Sequence, residues 1–238
     1  RCSSCIHCRE IEILIRNNSF LKGFRGLNGY VKGAYTILLL CEDGIYGFRS
    51  GDGHWPLVLG KGEQMVAIAT ESGGFTNMEF KLENDIKAGE VILLKNGAVS
   101  FRKQLVPSRS RICSFLWVYT AFPNAIFEGI PASLVRKMLG RSLALYDIRR
   151  GFIPDIVAPV PASGRSHAIG YHQEFCRAIE EGRVKKIPLY DEVLLKYPYA
   201  GRSYTPSSQE ARSKEAELKI LESGEDYKDK VLVLIDDS

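Results

Sequence analysis

The chain has 238 residues, 45% of them hydrophobic and 25% charged, proportions of an ordinary globular protein that exclude intrinsic disorder, collagen-like repeats and a disulfide-stapled miniprotein. That length is about one and a half typical domains, so two compact units, or one and part of a second, are expected. Its 32 basic and 28 acidic residues leave a net charge of +4 spread along the chain, too weak and too mixed to point to nucleic acid, and its apolar runs fall far short of the ~20 residues that cross a bilayer.

Six cysteines stand at positions 2, 5, 8, 41, 113 and 176. Cys41 sits inside an apolar run, and a reduced, cytoplasmic setting is the simplest expectation. Cys2-Ser-Ser-Cys5-Ile-His-Cys8 has a spacing that suits metal ligands, but with no second cluster to complete a ligand set an unstructured tail is the stronger reading. The chain opens on Arg1 and stops at Asp236-Asp237-Ser238, directly after a strand-like run, so a fragment cut at both ends is expected.

From Gly33 to Phe101 the pattern is strand and turn: Ala34–Cys41, Ile45–Phe48, Pro56–Leu59, Met65–Thr70 and Val91–Lys95. Asn96-Gly97, between Val91–Leu94 and Ala98–Phe101, is a strong hairpin signal. This half predicts an antiparallel sheet region. A polar, basic linker follows at 102–111, and then the period changes. Leu134, Val135, Met138, Leu139 and Leu143 recur at helical spacing behind Pro131, predicting an amphipathic helix over 131–146. A strand at Asp155–Val160 follows, then a helix through Ala168, His172, Phe175, Cys176 and Ile179, and a strand at Pro188–Leu195. A charged helix around Gln209–Leu221 and a strand at Lys230–Ile235 close the pattern. Strands alternating with helices predict a parallel α/β sheet.

Ligands of such sheets bind outside the carboxyl ends of the strands. Two of these ends carry unusual chemistry here. Asp236 and Asp237 leave a buried strand side by side, and adjacent carboxylates repel unless solvent, a metal or ligand hydroxyls compensate them. Pro159-Val-Pro-Ala-Ser163-Gly164 stiffens a loop just before a helix N-terminus, where a hydroxyl and bare backbone suit phosphate. A solvated turn and a plain proline-rich connection are the alternatives. His54, His167 and His172 show no paired ligand spacing and read as surface or packed histidines.

In order along the chain, these features resemble glutamine-dependent amidophosphoribosyltransferases over residues 30–238. Lys32-Gly-Ala-Tyr35, Ile45-Tyr-Gly-Phe-Arg49, Trp55-Pro-Leu-Val-Leu-Gly60, Ala69-Thr-Glu-Ser72 and Ala88-Gly-Glu90 are similar to the second half of the family's glutaminase domain. Cys113–Pro123 with Glu128-Gly-Ile130 resembles the segment joining the two domains. Asp155–Gly164 with Gly170-Tyr171 resembles the pyrophosphate loop and its helix, Lys196–Arg212 the loop that closes over substrate, and Val231–Ser238 the opening of the phosphoribosyl pyrophosphate (PRPP) signature. The chain departs from the family pattern at Arg49–Leu57, at Ala162 where an acid is usual, at Phe122, at Gly73 and at Tyr197-Pro198, as a divergent member would.

The resemblance implies a two-domain α/β and α+β protein. A partial N-terminal-nucleophile (αββα) glutaminase sandwich at 30–110 would follow a ragged segment at 1–29, and a partial type I phosphoribosyltransferase sheet at 111–238 would be truncated within the PRPP loop. It implies formation of 5-phosphoribosylamine from PRPP and glutamine in purine biosynthesis, by a homo-oligomer without nucleic-acid or membrane partners. The glutaminase cysteine would lie upstream, and Cys2, Cys5 and Cys8 do not qualify for that role. Ser163, Gly164, Lys196, Arg202, Asp236, Asp237 and Ser238 would hold substrate, with Ser163, Asp236 and Asp237 also organising Mg2+. In one branch of the family Cys113 would be one of four ligands of a [4Fe-4S] cluster in the complete protein, the others lying beyond the PRPP loop; a buried small hydrophobe is the other reading. A PRPP-binding regulatory paralogue without glutaminase chemistry is the alternative function. A sugar-phosphate or asparagine-forming amidotransferase shares the first domain but leaves residues 155–238 without a role.

Overall fold

The computed structural model describes residues 20–31, 33–198, 208–210, 213, 220–224 and 227–237. Cys2, Cys5, Cys8, Arg202 and Ser238 therefore lie outside the described residues. The chain divides into two compact units, residues 1–116 with 124–131 and residues 117–123 with 132–238.

In the first unit, helix α1 (Phe20–Tyr30) precedes strands β1 (Thr36–Cys41), β2 (Gly44–Arg49), β3 (Val58–Lys61), β4 (Val66–Ala69), β5 (Lys81–Asp85), β6 (Glu90–Lys95) and β7 (Ala98–Gln104). They form two antiparallel sheets, ordered β1-β2-β6-β7 and β4-β3-β5. The alternation of β2 explains the layering. Tyr46 and Phe48 point to α1 and join Phe24, Leu27 and Val91 in one core. Gly47 points the other way, where an added Cβ would lie 2.9 Å from Ile68 and 3.3 Å from Leu57, so its missing side chain lets the second sheet close. Leu57, Leu59, Ile86, Ile92 and Leu94 fill that second core. Helix, sheet and sheet make three of the four layers of the expected αββα sandwich. The β6–β7 hairpin turns at Asn96 (φ 51°) and Gly97 (φ 76°), the left-handed pair that an Asn-Gly turn demands.

Two expectations fail here. Residues 20–29 were expected to be ragged, yet α1 buries Phe24 and Leu27. Each such side chain contributes about 1.5–3 kcal/mol on burial, which outweighs the helix cost of Gly23, Gly26 and Gly29. The polar run Lys81–Asp85 is an unforeseen strand, paired to β3 with an irregularity at Leu59/Gly60.

The short hairpin of β8 (Ile126–Phe127) and β9 (Ile130–Pro131) also belongs to the first unit. In the second unit follow helix α2 (Ala132–Arg149), strand β10 (Ile156–Pro159), helix α3 (Arg165–Glu180), β11 (Leu189–Tyr190), β12 (Leu194–Lys196), β13 (Ile220–Glu222) and β14 (Leu232–Ile235). A parallel sheet has the order β11-β10-β14. The expected strand at Pro188–Leu195 is two short strands, and Ile220-Leu221, expected to end a helix, pair with β12 instead. Both corrections have one cause: short apolar runs take the structure their pairing partners impose, not the one their period favours.

The helix α2 is as predicted in place and reversed in facing. Ala132, Arg136, Gly140 and Ala144 are buried, while Leu134, Met138 and Leu143 are about half exposed. Backbone proximity decides this. A Cβ on Gly140 would lie 1.8 Å from the His167 carbonyl oxygen, and one on Gly170 1.9 Å from that of Lys137. Helices this close admit only small residues at the crossing. Arg136 also has work on that face: its guanidinium donates to the carbonyls of Trp117 (2.8 Å), Tyr119 (3.1 Å) and Ala121 (2.7 Å). Tyr171 donates to Asp147 Oδ2 at 2.7 Å, pinning α3 to α2 above a core of Ala144, Val157, Phe175 and Ile235.

Candidate functional site

The site lies at the carboxyl ends of β10 and β14, which run parallel with Pro159 opposite Ile235. The chain leaves β10 into 160–164 and enters α3 at Arg165. Val160 N–H donates to the Ile235 carbonyl at 2.8 Å, and Gly164 N–H donates back to the Val160 carbonyl at 2.9 Å, so the loop folds directly over the end of β14. Gly164 is required by this approach: a Cβ would stand 2.1 Å from the Ile235 carbonyl oxygen. The Pro161–Ala162 peptide is cis. No side chain caps the N-terminus of α3, which begins directly at the end of the loop.

Onto this frame β14 delivers its two carboxylates. Ser163 Oγ stands 3.4 Å from Asp236 Oδ1, and the Asp237 N–H donates to the same oxygen at 2.9 Å. Asp237 Oδ2 is buried without a hydrogen-bond partner. Burial first, and then the charge of Asp236, pushes the Asp237 carboxyl above the usual carboxylate range, with the Ser163 hydroxyl as a partial offset. This is the chemistry of a group that lacks its counter-charge.

The structure thus brings Ser163, Gly164, Asp236 and Asp237 together. It does not bring in Lys196, which is exposed at the end of β12 and, among the described residues, makes no hydrogen bond or ion pair with them. The reading of the sequence missed His167. Its packing was foreseen, but not its place: the imidazole is 3% exposed and donates a hydrogen bond to the Ser163 carbonyl, its Nδ1 has no partner, and Asp237 and Asp236 act on it through their charge. Burial, and secondarily the Arg136 charge, holds it below the usual imidazole range. The signal was its spacing, one helical turn beyond Ser163.

Among the described residues no group of three or more His, Cys, Asp and Glu side chains forms a metal cage. Mg2+ fits nonetheless, because it is commonly held by one or two carboxylates together with the phosphates and water that accompany it, and Asp236 and Asp237 offer such a partial set. Cys113 is a half-buried free thiol, and among the described residues no group of cysteines gathers around it; the other ligands of the iron–sulfur cluster that the resemblance implies would lie beyond the PRPP loop.

The first unit has a polar centre of its own. Arg49 is fully buried and donates to the carbonyls of Trp55 (3.1 Å), Ile86 (2.7 Å) and Gly53 (2.7 Å) and to Glu128 Oε1 (2.8 Å). Nearby, burial raises the Asp85 carboxyl, whose Oδ1 has no partner.

No family model matches the chain. It is 30% identical to the amidophosphoribosyltransferase of Archaeoglobus fulgidus over 227 residues, covering 95% of this chain and 47% of that protein. It is 34% identical to that of Pyrococcus horikoshii over 209 residues, covering 87% and 42%. Among solved structures, glutamine PRPP amidotransferase from B. subtilis, complexed with ADP and GMP, superposes with a TM-score of 0.78 at 25% identity, covering 96% of this chain and 48% of that one. The chain spans about half the length of the curated relatives it matches. In sequence and in fold it is similar to amidophosphoribosyltransferases across nearly all of its own length.

Proposed function

We propose that this chain carries the PRPP site, and part of the glutaminase domain, of an amidophosphoribosyltransferase that forms 5-phosphoribosylamine from PRPP and glutamine. The observation that supports this reading best is the meeting of Ser163 with the Asp236–Asp237 pair beneath the uncapped N-terminus of α3, in a chain with those relatives. Ammonia released from glutamine attacks the anomeric carbon of PRPP, and pyrophosphate leaves with the bonding electrons. The residues here bind and orient. The carboxylates of Asp236 and Asp237 accept from the ribose hydroxyls, and the loop at 160–164 with the first N–H groups of α3 receives the pyrophosphate. Ser163, Asp236 and Asp237 would hold Mg2+, which when bound would supply positive charge to the pyrophosphate oxygens. Lys196 and Arg202, at or within the segment between β12 and β13, belong to the same reading as pyrophosphate contacts, with Ser238 as a further contact beyond Asp237. A reducing cytoplasm suits the free thiols of Cys41, Cys113 and Cys176.

The test is thermal melting of the full chain with and without Mg-PRPP. A ligand at a hundredfold excess over its Kd adds about 2.7 kcal/mol to the form that binds it. A raised midpoint with Mg-PRPP, absent in Asp236→Asn/Asp237→Asn, is expected. No shift in the wild-type chain rejects the reading.

A further inference from the structure

Helix α3 opens on a cation, where its own backbone disfavours one. Arg165 is its first residue, no acidic residue stands in the first turn and no side chain caps it, so the guanidinium sits at the positive end of the helix dipole. The offset comes from Glu192, two residues beyond β11. Arg165 Nε donates to Glu192 Oε1 at 2.9 Å and Nη2 to Oε2 at 3.0 Å. This planar fork fits two oxygens of a phosphate as well as it fits a carboxylate. Strand β11 lies parallel beside β10, and the Asp191 N–H donates to the Val157 carbonyl at 3.1 Å. Glu192 therefore stands at the carboxyl end of β11, and Arg165 follows the loop that leaves the carboxyl end of β10. The pair spans the strand ends at which ligands of such sheets bind, close in the chain to Ser163. It is also open to water, with side chains 53% and 36% exposed, whereas Arg49 and Arg136 hold the fold from buried positions. An ion pair this exposed holds its partners together by about fivefold at most, so an anion with more charge and more oxygens than one carboxylate displaces Glu192.

We infer that Arg165 is a pyrophosphate-binding residue and that Glu192 holds it in reserve, as an internal competitor for the same guanidinium. On binding, Arg165 exchanges the two carboxylate oxygens for oxygens of the pyrophosphate group, and Glu192 is released to water. No covalent bond changes. The competition lowers affinity only for ligands that carry the pyrophosphate group, and it acts only through Arg165. This inference rests on the PRPP reading above and adds to it a binding residue and a competitor that tunes it.

The experiment is titration calorimetry of the full chain with Mg-PRPP, with Mg-pyrophosphate and with ribose 5-phosphate, which lacks the pyrophosphate group. Glu192→Gln, which keeps the shape and removes the charge, is expected to tighten Mg-PRPP and Mg-pyrophosphate about threefold. Arg165→Ala is expected to weaken both about tenfold, the scale of a hydrogen bond to a charged group, and Arg165→Lys, which keeps the charge without the fork, is expected to fall between. Ribose 5-phosphate is expected to stay within about twofold in every variant. In the Arg165→Ala background, Glu192→Gln is expected to have no further effect. Arg165→Gln replaces Arg165→Ala if the Ala variant does not fold. Weaker or unchanged Mg-pyrophosphate binding in Glu192→Gln, unchanged binding in Arg165→Ala, or an equal change for ribose 5-phosphate overturns the inference and leaves the functional reading standing. A wild-type chain that binds neither Mg-PRPP nor Mg-pyrophosphate overturns both.

Discussion

Arg49 in the first unit and Asp237 in the second both hold polar atoms out of water, and they differ in what surrounds those atoms. The guanidinium of Arg49 meets three carbonyl oxygens and a carboxylate. Asp237 meets another negative charge and keeps one oxygen unpartnered. Burial alone does not mark a functional group; an unmet hydrogen-bonding demand is what calls for an explanation. Arg49 ties β2 to the Gly53–Trp55 turn, to Ile86 and to Glu128, and its role is complete within the fold. Asp237 keeps a demand that the described residues do not meet.

The comparison breaks most visibly at Arg49. Arg49→Met is expected to cost about 3–5 kcal/mol, because three buried carbonyls and Glu128 lose their donor together. Urea unfolding of the full chain checks it; a loss below ~1 kcal/mol means that water replaces the guanidinium and that the closed network is not structural. Next comes the helix crossing in the second unit. Gly140→Ala places a methyl group within 1.8 Å of the His167 carbonyl, and such overpacking is expected to cost about 1–3 kcal/mol. Because the same contact seats the first turn of α3, Mg-PRPP affinity is expected to fall with it, which calorimetry detects.

Asp237→Asn is expected to act in the opposite direction on the ligand-free chain. Its folded-state pKa is raised by burial and by Asp236. A raised acid favours folding below its unfolded pKa of about 3.9, and that contribution disappears as the pH rises through the folded value. The Asn variant is therefore expected to melt slightly higher than the wild type near pH 7 and at the same temperature near pH 3, while losing its response to Mg-PRPP. A lower midpoint near pH 7 reveals a structural role. The smallest effect belongs to the outer face of α2, where Met138 is 60% exposed. Met138→Gln is expected to change stability by less than about 0.5 kcal/mol, against a clear loss for Ala144→Leu on the buried face.

This last contrast shows where reading the sequence reaches its limit. Helical period located α2, but hydrophobicity chose the wrong face, since Leu134, Met138 and Leu143 outrank Ala132, Gly140 and Ala144 on any transfer scale. The face was decided by how closely α3 approaches. The hairpin at Asn96-Gly97 was legible because left-handed φ values at two successive residues leave few alternatives. Strand β5 was not legible, because Lys81–Asp85 has no apolar alternation and pairs only because β3 offers an edge. At the site, Ser163 and the acidic pair could be read from their types and their places after strands. Their meeting, 73 positions apart in the chain, could not.

By itself the sequence determined the strand-and-turn half, the alternation of strands and helices after it, and the chemistry presented at two strand ends. These depend on local period, turn stereochemistry and residue type, which neighbours in the chain carry. Tertiary structure alone decided that α1 closes the first core, that α2 turns its small residues inward, and that His167 and Asp237 leave unmet polar atoms at one site. Those outcomes depend on distances between elements remote in sequence, where a single Cβ or one missing partner outweighs local preference.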